Sequence, residues 1–154
     1  MCSLFAFLLV LFAVLTQDVS VAQQKPCTEA ERRQVEAEAD ELRSWDALYK
    51  SYRKYRYCDD VDAQEGYSES IARILADHWE TLPRLAKLIE HDSSFGKFVG
   101  LDATMDMKDV AKIRNNALHR CPAGLEKLCA KLKKDADEAI AEDAIYRRPT
   151  HHRE

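Results

Sequence analysis

Between residues 42 and 55, large apolar residues return every three or four positions: Leu42, Trp45, Leu48, Tyr49, Tyr52 and Tyr55. At 100° per residue they fall within an arc of about 140°, one face of an α-helix. The same period recurs through most of the chain, and no segment sustains the two-residue alternation of a half-buried strand. Glycine occurs only four times in 154 residues. These patterns predict an all-α chain, a compact bundle of about five or six helices.

Not every residue is expected to belong to that bundle. Residues 4 to 15 read LFAFLLVLFAVL, shorter than the roughly 20 apolar residues that span a bilayer. Their length and position suit the apolar part of a secretory signal. Ser20-Val21-Ala22 supplies small residues before a cleavage point after Ala22. The run lacks a Lys or Arg before it, and the rival reading is an uncleaved membrane anchor. We read a cleaved signal peptide over 1–22, a single helical domain over 23–148 and a disordered tail over 149–154. Residues 28–40 are so polar, with Val35 their only large apolar residue, that they are expected to project as a lightly packed arm. The location implied is exported, periplasmic or extracellular, with no membrane association after cleavage.

Export decides how the cysteines are read. Cys2 leaves with the signal, and Cys27, Cys58, Cys121 and Cys129 remain. An even number in an exported chain favours disulfides. A bridge needs Cα atoms within about 7 Å. If one helix runs from Thr28 to Cys58, Cys27 and Cys58 lie about 45 Å apart, which excludes that pair. Cys121 and Cys129 lie about 12 Å apart if helical and pair only if CPAGLEKLC loops out. The favoured bridge is Cys58–Cys121, which leaves Cys27–Cys129. The second bridge needs the polar stretch to fold back, so it conflicts with a straight first helix.

Local signals place the elements. Thr28 with Glu31 three residues later forms a capping box. A second helix over about 62–80 carries Tyr67, Ile71, Ile74, Leu75 and His78 on one stripe. Thr81 and Pro83 mark a break, and a third helix runs to about Glu90. Ser93 or Ser94 caps a short segment that Gly100 ends. Asp106 caps a helix over 107–120, which Pro122 stops at Cys121. The last helix runs from Pro122 or Ala123 to Tyr146.

The chemistry of the chain is sparse. Removing the signal takes one of the 27 acids, Asp18, and none of the 23 bases, leaving a net charge of −3. A slightly acidic chain with interspersed charges excludes a general nucleic-acid binder. No phosphate-binding glycine loop, zinc-type cysteine spacing or HExxH pattern is present. No cofactor is implied. The half-elbow at Gly66-Tyr67-Ser68 lacks its second glycine and lies in a helical pattern. Arg56 and Arg114 fall in the middle of apolar stripes and need carboxylate partners, Asp59, Asp60 or Glu65 being nearest, unless they snorkel to water.

The leading expectation is a non-enzymatic exported interaction protein. A protein partner or a second protomer would dock on aromatic-rich surfaces around Trp45, Tyr52, Tyr57 and Trp79. Tyr67, His78, Arg56 and Arg114 complete the candidate binding residues. The second expectation is a small apolar ligand held between helices by Trp45, Tyr49, Tyr67, Ile71, Phe95 and Phe98. A third is an exported hydrolase using His78 with nearby carboxylates.

Overall fold

The computed structural model describes residues 25–58, 61–102 and 104–147. The expected signal peptide and the expected tail from residue 149 lie outside the described residues. Among the described residues the chain is all-helical, with helices α1 (Glu29–Ala39), α2 (Trp45–Tyr55), α3 (Val61–Asp77), α4 (Leu82–His91), α5 (Ser93–Phe98), α6 (Met107–His119) and α7 (Glu126–Tyr146). A 3-10 turn at Trp79–Thr81 joins α3 to α4. The bundle is built around α3, which packs against α1 and α6. The long helix α7 packs on α6, and α2 touches α1, α3 and α4.

The expected first helix is two helices. The chain leaves α1 after Ala39 and re-enters at Trp45, where Ser44 Oγ accepts from the Ala47 N–H. No glycine or proline forces the break. Groups on α3 stabilise it by taking the carbonyls that α1 leaves unpaired at its end. Ser70 Oγ donates to the Ala39 carbonyl, and Arg73 donates to that of Asp40. Gly66 allows the close approach: a Cβ there would stand 3.0 Å from Ala39 Cβ and 3.1 Å from the Asp40 nitrogen. The polar 28–40 segment therefore does not project. Val35 and Ala39 are fully buried, and α1 lies along α3.

This fold-back changes the disulfides from the expected pairing. The bridges are Cys27–Cys58, with Cα atoms 4.9 Å apart, and Cys121–Cys129, at 6.0 Å. With 11 residues in each of α1 and α2, the start of one helix meets the end of the other. The second bridge forms because residues 120–125 leave the helical path before α7, while Cys129 lies in the first turn of that helix. The last helix begins at Glu126 rather than at Pro122, and Gly124 turns the chain with φ +82°. That φ is open to glycine at little cost.

The capping box closes as expected. Glu31 accepts from the Thr28 N–H at 3.0 Å, and Thr28 Oγ1 accepts from the Glu31 N–H at 3.3 Å. Asp106 caps α6 through the Lys108 N–H. The cap of α5 is Asp92 rather than Ser93 or Ser94, accepting from the N–H groups of Ser94 and Phe95.

Both tryptophans turn inward at the α3–α4 corner. Trp45 donates its Nε1–H to Thr81 Oγ1 at 2.9 Å, and Thr81 in turn donates to the His78 carbonyl. Trp79 donates to the Arg120 carbonyl at 2.9 Å, tying the corner to the end of α6. His78 leaves the α3 stripe: α3 ends at Asp77, and its imidazole stands exposed, Nδ1 3.6 Å from Glu80 Oε1.

Candidate functional site

Of the eight candidate binding residues, Trp45, Tyr52, Tyr67 and Trp79 are buried. The aromatic helix surface read as a docking face is therefore largely interior. Arg114 is half-exposed and donates to Asp137 across the α6–α7 pair; Lys133 joins the same carboxylate. His78 does not line the cleft described below, and no cluster of three metal-ligating side chains occurs among the described residues.

Tyr57 belongs to a small polar clamp. Its hydroxyl donates to Glu31 Oε1 at 2.7 Å, and Lys25 Nζ lies 3.0 Å from the same hydroxyl and 2.5 Å from Glu31. The clamp holds the chain before α1 against the end of α2, beside the Cys27–Cys58 bridge. Lys25 first, then the Thr28 N–H and Tyr57, hold the Glu31 carboxyl at about 2, against an ordinary 4.5. A carboxyl more acidic in the folded than in the unfolded chain stabilises the fold fully above about pH 4.5, and that contribution is lost as pH falls toward 2. Glu31→Gln is accordingly expected to lower the melting temperature at neutral pH. The difference from the wild type should shrink as melts are taken down to about pH 2.

A cleft of about 310 Å³ lies between α2, α3 and α5. Tyr52 and Tyr55 come from α2, Tyr67, Ser68 and Ile71 from α3, and Phe98 from α5. The spacing of four between Tyr67 and Ile71 puts both on one face of α3, as the sequence pattern implied. Phe98, half-buried, packs between two tyrosines. Its ring centroid lies 4.7 Å from that of Tyr52 and 5.1 Å from that of Tyr67, the latter pair edge-on at 78°. Such tilted and edge-on pairs suit the quadrupoles of the rings. Tyr67 Oη is bonded to Ser51 Oγ at 2.8 Å. Burial pushes its phenol up to about 12, the Ser51 bond opposing, so Tyr67 carries no phenolate near neutral pH.

The rim is polar. Arg56, which caps the C-terminus of α2, Gln64 and Asp102 stand exposed around the mouth. Asp102 is engaged within its own loop, where Oδ1 accepts from the Thr104 N–H at 2.9 Å and from the Thr104 hydroxyl. Of the two readings open for Arg56, a buried cation with a carboxylate partner or a side chain snorkelling to water, the structure has the second. The pattern ends at Tyr55, and the guanidinium reaches solvent.

Of the six residues expected to line an inter-helix cavity, the cleft uses Tyr67, Ile71 and Phe98. Trp45 and Phe95 are fully buried core, and Tyr49 packs on Phe95 outside the cleft, with its hydroxyl on Asp92 at 3.3 Å. Tyr55 and Ser68 escaped the sequence reading. Tyr55 was legible as apolar stripe, but nothing in its neighbours marked it as facing a hollow. A larger and shallower groove of about 560 Å³ runs between α4 and the start of α7, over Ile89, Leu125 and Leu128. It lacks aromatic walls.

No family model matches the chain, and comparisons with curated proteins and with solved structures found none that matches.

Proposed function

We propose that this chain is an exported, non-enzymatic binding protein that holds a small, mainly apolar molecule in the cleft between α2, α3 and α5. The observation that carries the reading is the lining: three tyrosines, Phe98 and Ile71 around a hollow of about 310 Å³, with Ser68 on its wall and Arg56, Gln64 and Asp102 at its rim. Binding sites for small molecules share that composition, and this volume falls at the low end of their range. It fits one or two fused rings. Export is supported by the leader-like run over residues 4–15 and by two disulfides in a chain of this size. Among the described residues no helix is long and apolar enough to cross a membrane.

The test uses a neutral probe, 2-naphthalenemethanol, followed by heteronuclear NMR on the full mature chain. Shifts confined to Tyr52, Tyr67, Ile71 and Phe98 support the reading. Ser68→Trp, on the half-exposed wall of the cleft, should then abolish them while the fold is kept. Absence of binding, or shifts centred elsewhere, would overturn it.

A protein partner or second copy remains the alternative role. One observation favours it: Ile145 and Tyr146, 64 % and 77 % exposed on the last turn of α7. Sizing of the purified chain distinguishes the two, since a monomer at all concentrations removes the second-copy form.

A further inference from the structure

We propose that the ligand of the cleft is an organic anion, a small aromatic carboxylate whose ring lies against Phe98, Tyr52 and Tyr67 and whose acid group is received by Arg56. The inference rests on the reading of the cleft as a ligand site and adds the charge of its occupant.

The argument turns on which rim charge is already satisfied. The exposed side of α2 carries Lys50, Arg53, Lys54 and Arg56. A basic residue near a helix C-terminus is favourable in itself, so Arg56 could be no more than a fourth such charge. Its neighbours, however, have ring partners. Arg53 lies 5.9 Å from the Tyr49 ring centroid and donates to that hydroxyl at 3.2 Å. Lys54 Nζ lies 4.4 Å from the Tyr55 centroid. The Arg56 side chain makes no hydrogen bond or ion pair with the described residues, and of the four it alone lines the cleft. Asp102, which also lines the cleft, has two donors from Thr104, both on Oδ1. Among the described residues the mouth thus presents an unpaired guanidinium and a carboxylate with one oxygen bonded within its own loop.

The floor fits the other half of such a ligand. Tyr67 Oη is occupied by Ser51 and keeps its proton, so this phenol places no negative charge against an anion in the cleft. A guanidinium is planar and meets a carboxylate with two parallel hydrogen bonds. Beside an apolar wall that pairing gains strength, because less water screens it. Tyrosine-rich hollows also hold quaternary ammonium groups, and that class is the competitor the test must separate.

Three probes share one ring system: 2-naphthoate, 2-naphthalenemethanol and (2-naphthylmethyl)trimethylammonium. Titrated into the mature chain at low salt and followed by calorimetry and NMR, naphthoate is expected to bind roughly tenfold tighter than the alcohol, the gain of one charged hydrogen-bonding contact. Arg56→Gln should remove that difference between naphthoate and the alcohol. Arg56 is exposed, so the substitution should not unfold the domain, and Arg56→Lys should keep part of the preference. Equal binding of naphthoate and alcohol, or tighter binding of the ammonium probe, overturns the anion assignment while leaving the cleft as a ligand site. If none of the three shifts the cleft residues, the cleft reading itself fails.

Discussion

Trp45→Ala is expected to cost about 3–5 kcal/mol of stability, the usual range for removing a large ring from a core. A single domain has only about 5–15 kcal/mol in total. Two effects combine at this position. The ring is 2 % exposed, so its removal leaves a cavity where α2 meets the α3–α4 corner. It also deletes the donor to Thr81, whose hydroxyl accepts from the indole while bonding the His78 carbonyl. Two further variants separate these effects. Trp45→Phe keeps most of the packing and loses the donor, at about 2 kcal/mol. Thr81→Val leaves the indole N–H buried and unpaired, at about 1–3 kcal/mol. Urea unfolding of the three checks the order. A loss below about 1 kcal/mol in Trp45→Ala would mean the ring does not fill the core as described.

Replacing Cys27 and Cys58 together by serine is expected to cost more than replacing Cys121 and Cys129. A bridge restricts the unfolded chain more when it closes a longer loop. With separations of 31 and 8 residues, the chain-entropy relation gives about 3.7 and about 2.5 kcal/mol. The local consequences differ as well. Without Cys27–Cys58, the chain before α1 is held to the end of α2 by the Lys25–Glu31–Tyr57 clamp alone. Without Cys121–Cys129, α6 and α7 keep the buried contacts of Ile113, Ala117, Leu132 and Ala136. Denaturant midpoints of the two double-serine variants, with hydrogen exchange at α1, check both statements. Equal losses, or exchange at α1 no faster than in the wild type, would contradict them.

The helical class, most helix ends and most of the core were legible because each is written locally. Thr28 with Glu31 and Asp106 announce their caps, and Leu85, Leu88, Val110, Ile113 and Leu132 sit where a 3.6-residue period puts them. The break between α1 and α2 was not legible. Val35, Ala39, Leu42, Trp45 and Leu48 continue one helical period across it, and no residue there forbids a helix. What stabilises the break is the contact with Ser70, Arg73 and Gly66, more than 20 residues away in sequence. That one misread bend carried the disulfide pairing with it, since a straight helix keeps Cys27 away from Cys58. The aromatic residues were readable as one face of a helix. Whether that face meets core, partner or cleft depends on neighbouring elements, so Trp45 and Trp79 looked like docking anchors and are core. Arg56 was singled out as a cation in an apolar stripe that needs a carboxylate unless it snorkels to water, and its exposed place follows from α2 stopping at Tyr55.

Both disulfides join cysteines that are neighbours in the order of the chain, and this bears on how the reduced protein regains its bridges. Four cysteines have three pairings, and the observed one closes the two shortest loops available. Ring closure in a disordered chain favours short separations. Random oxidation therefore starts biased toward the correct partners, and each α-hairpin can cross-link before the rest of the bundle assembles. A chain built this way should recover its native bridges in a simple thiol buffer without an isomerase.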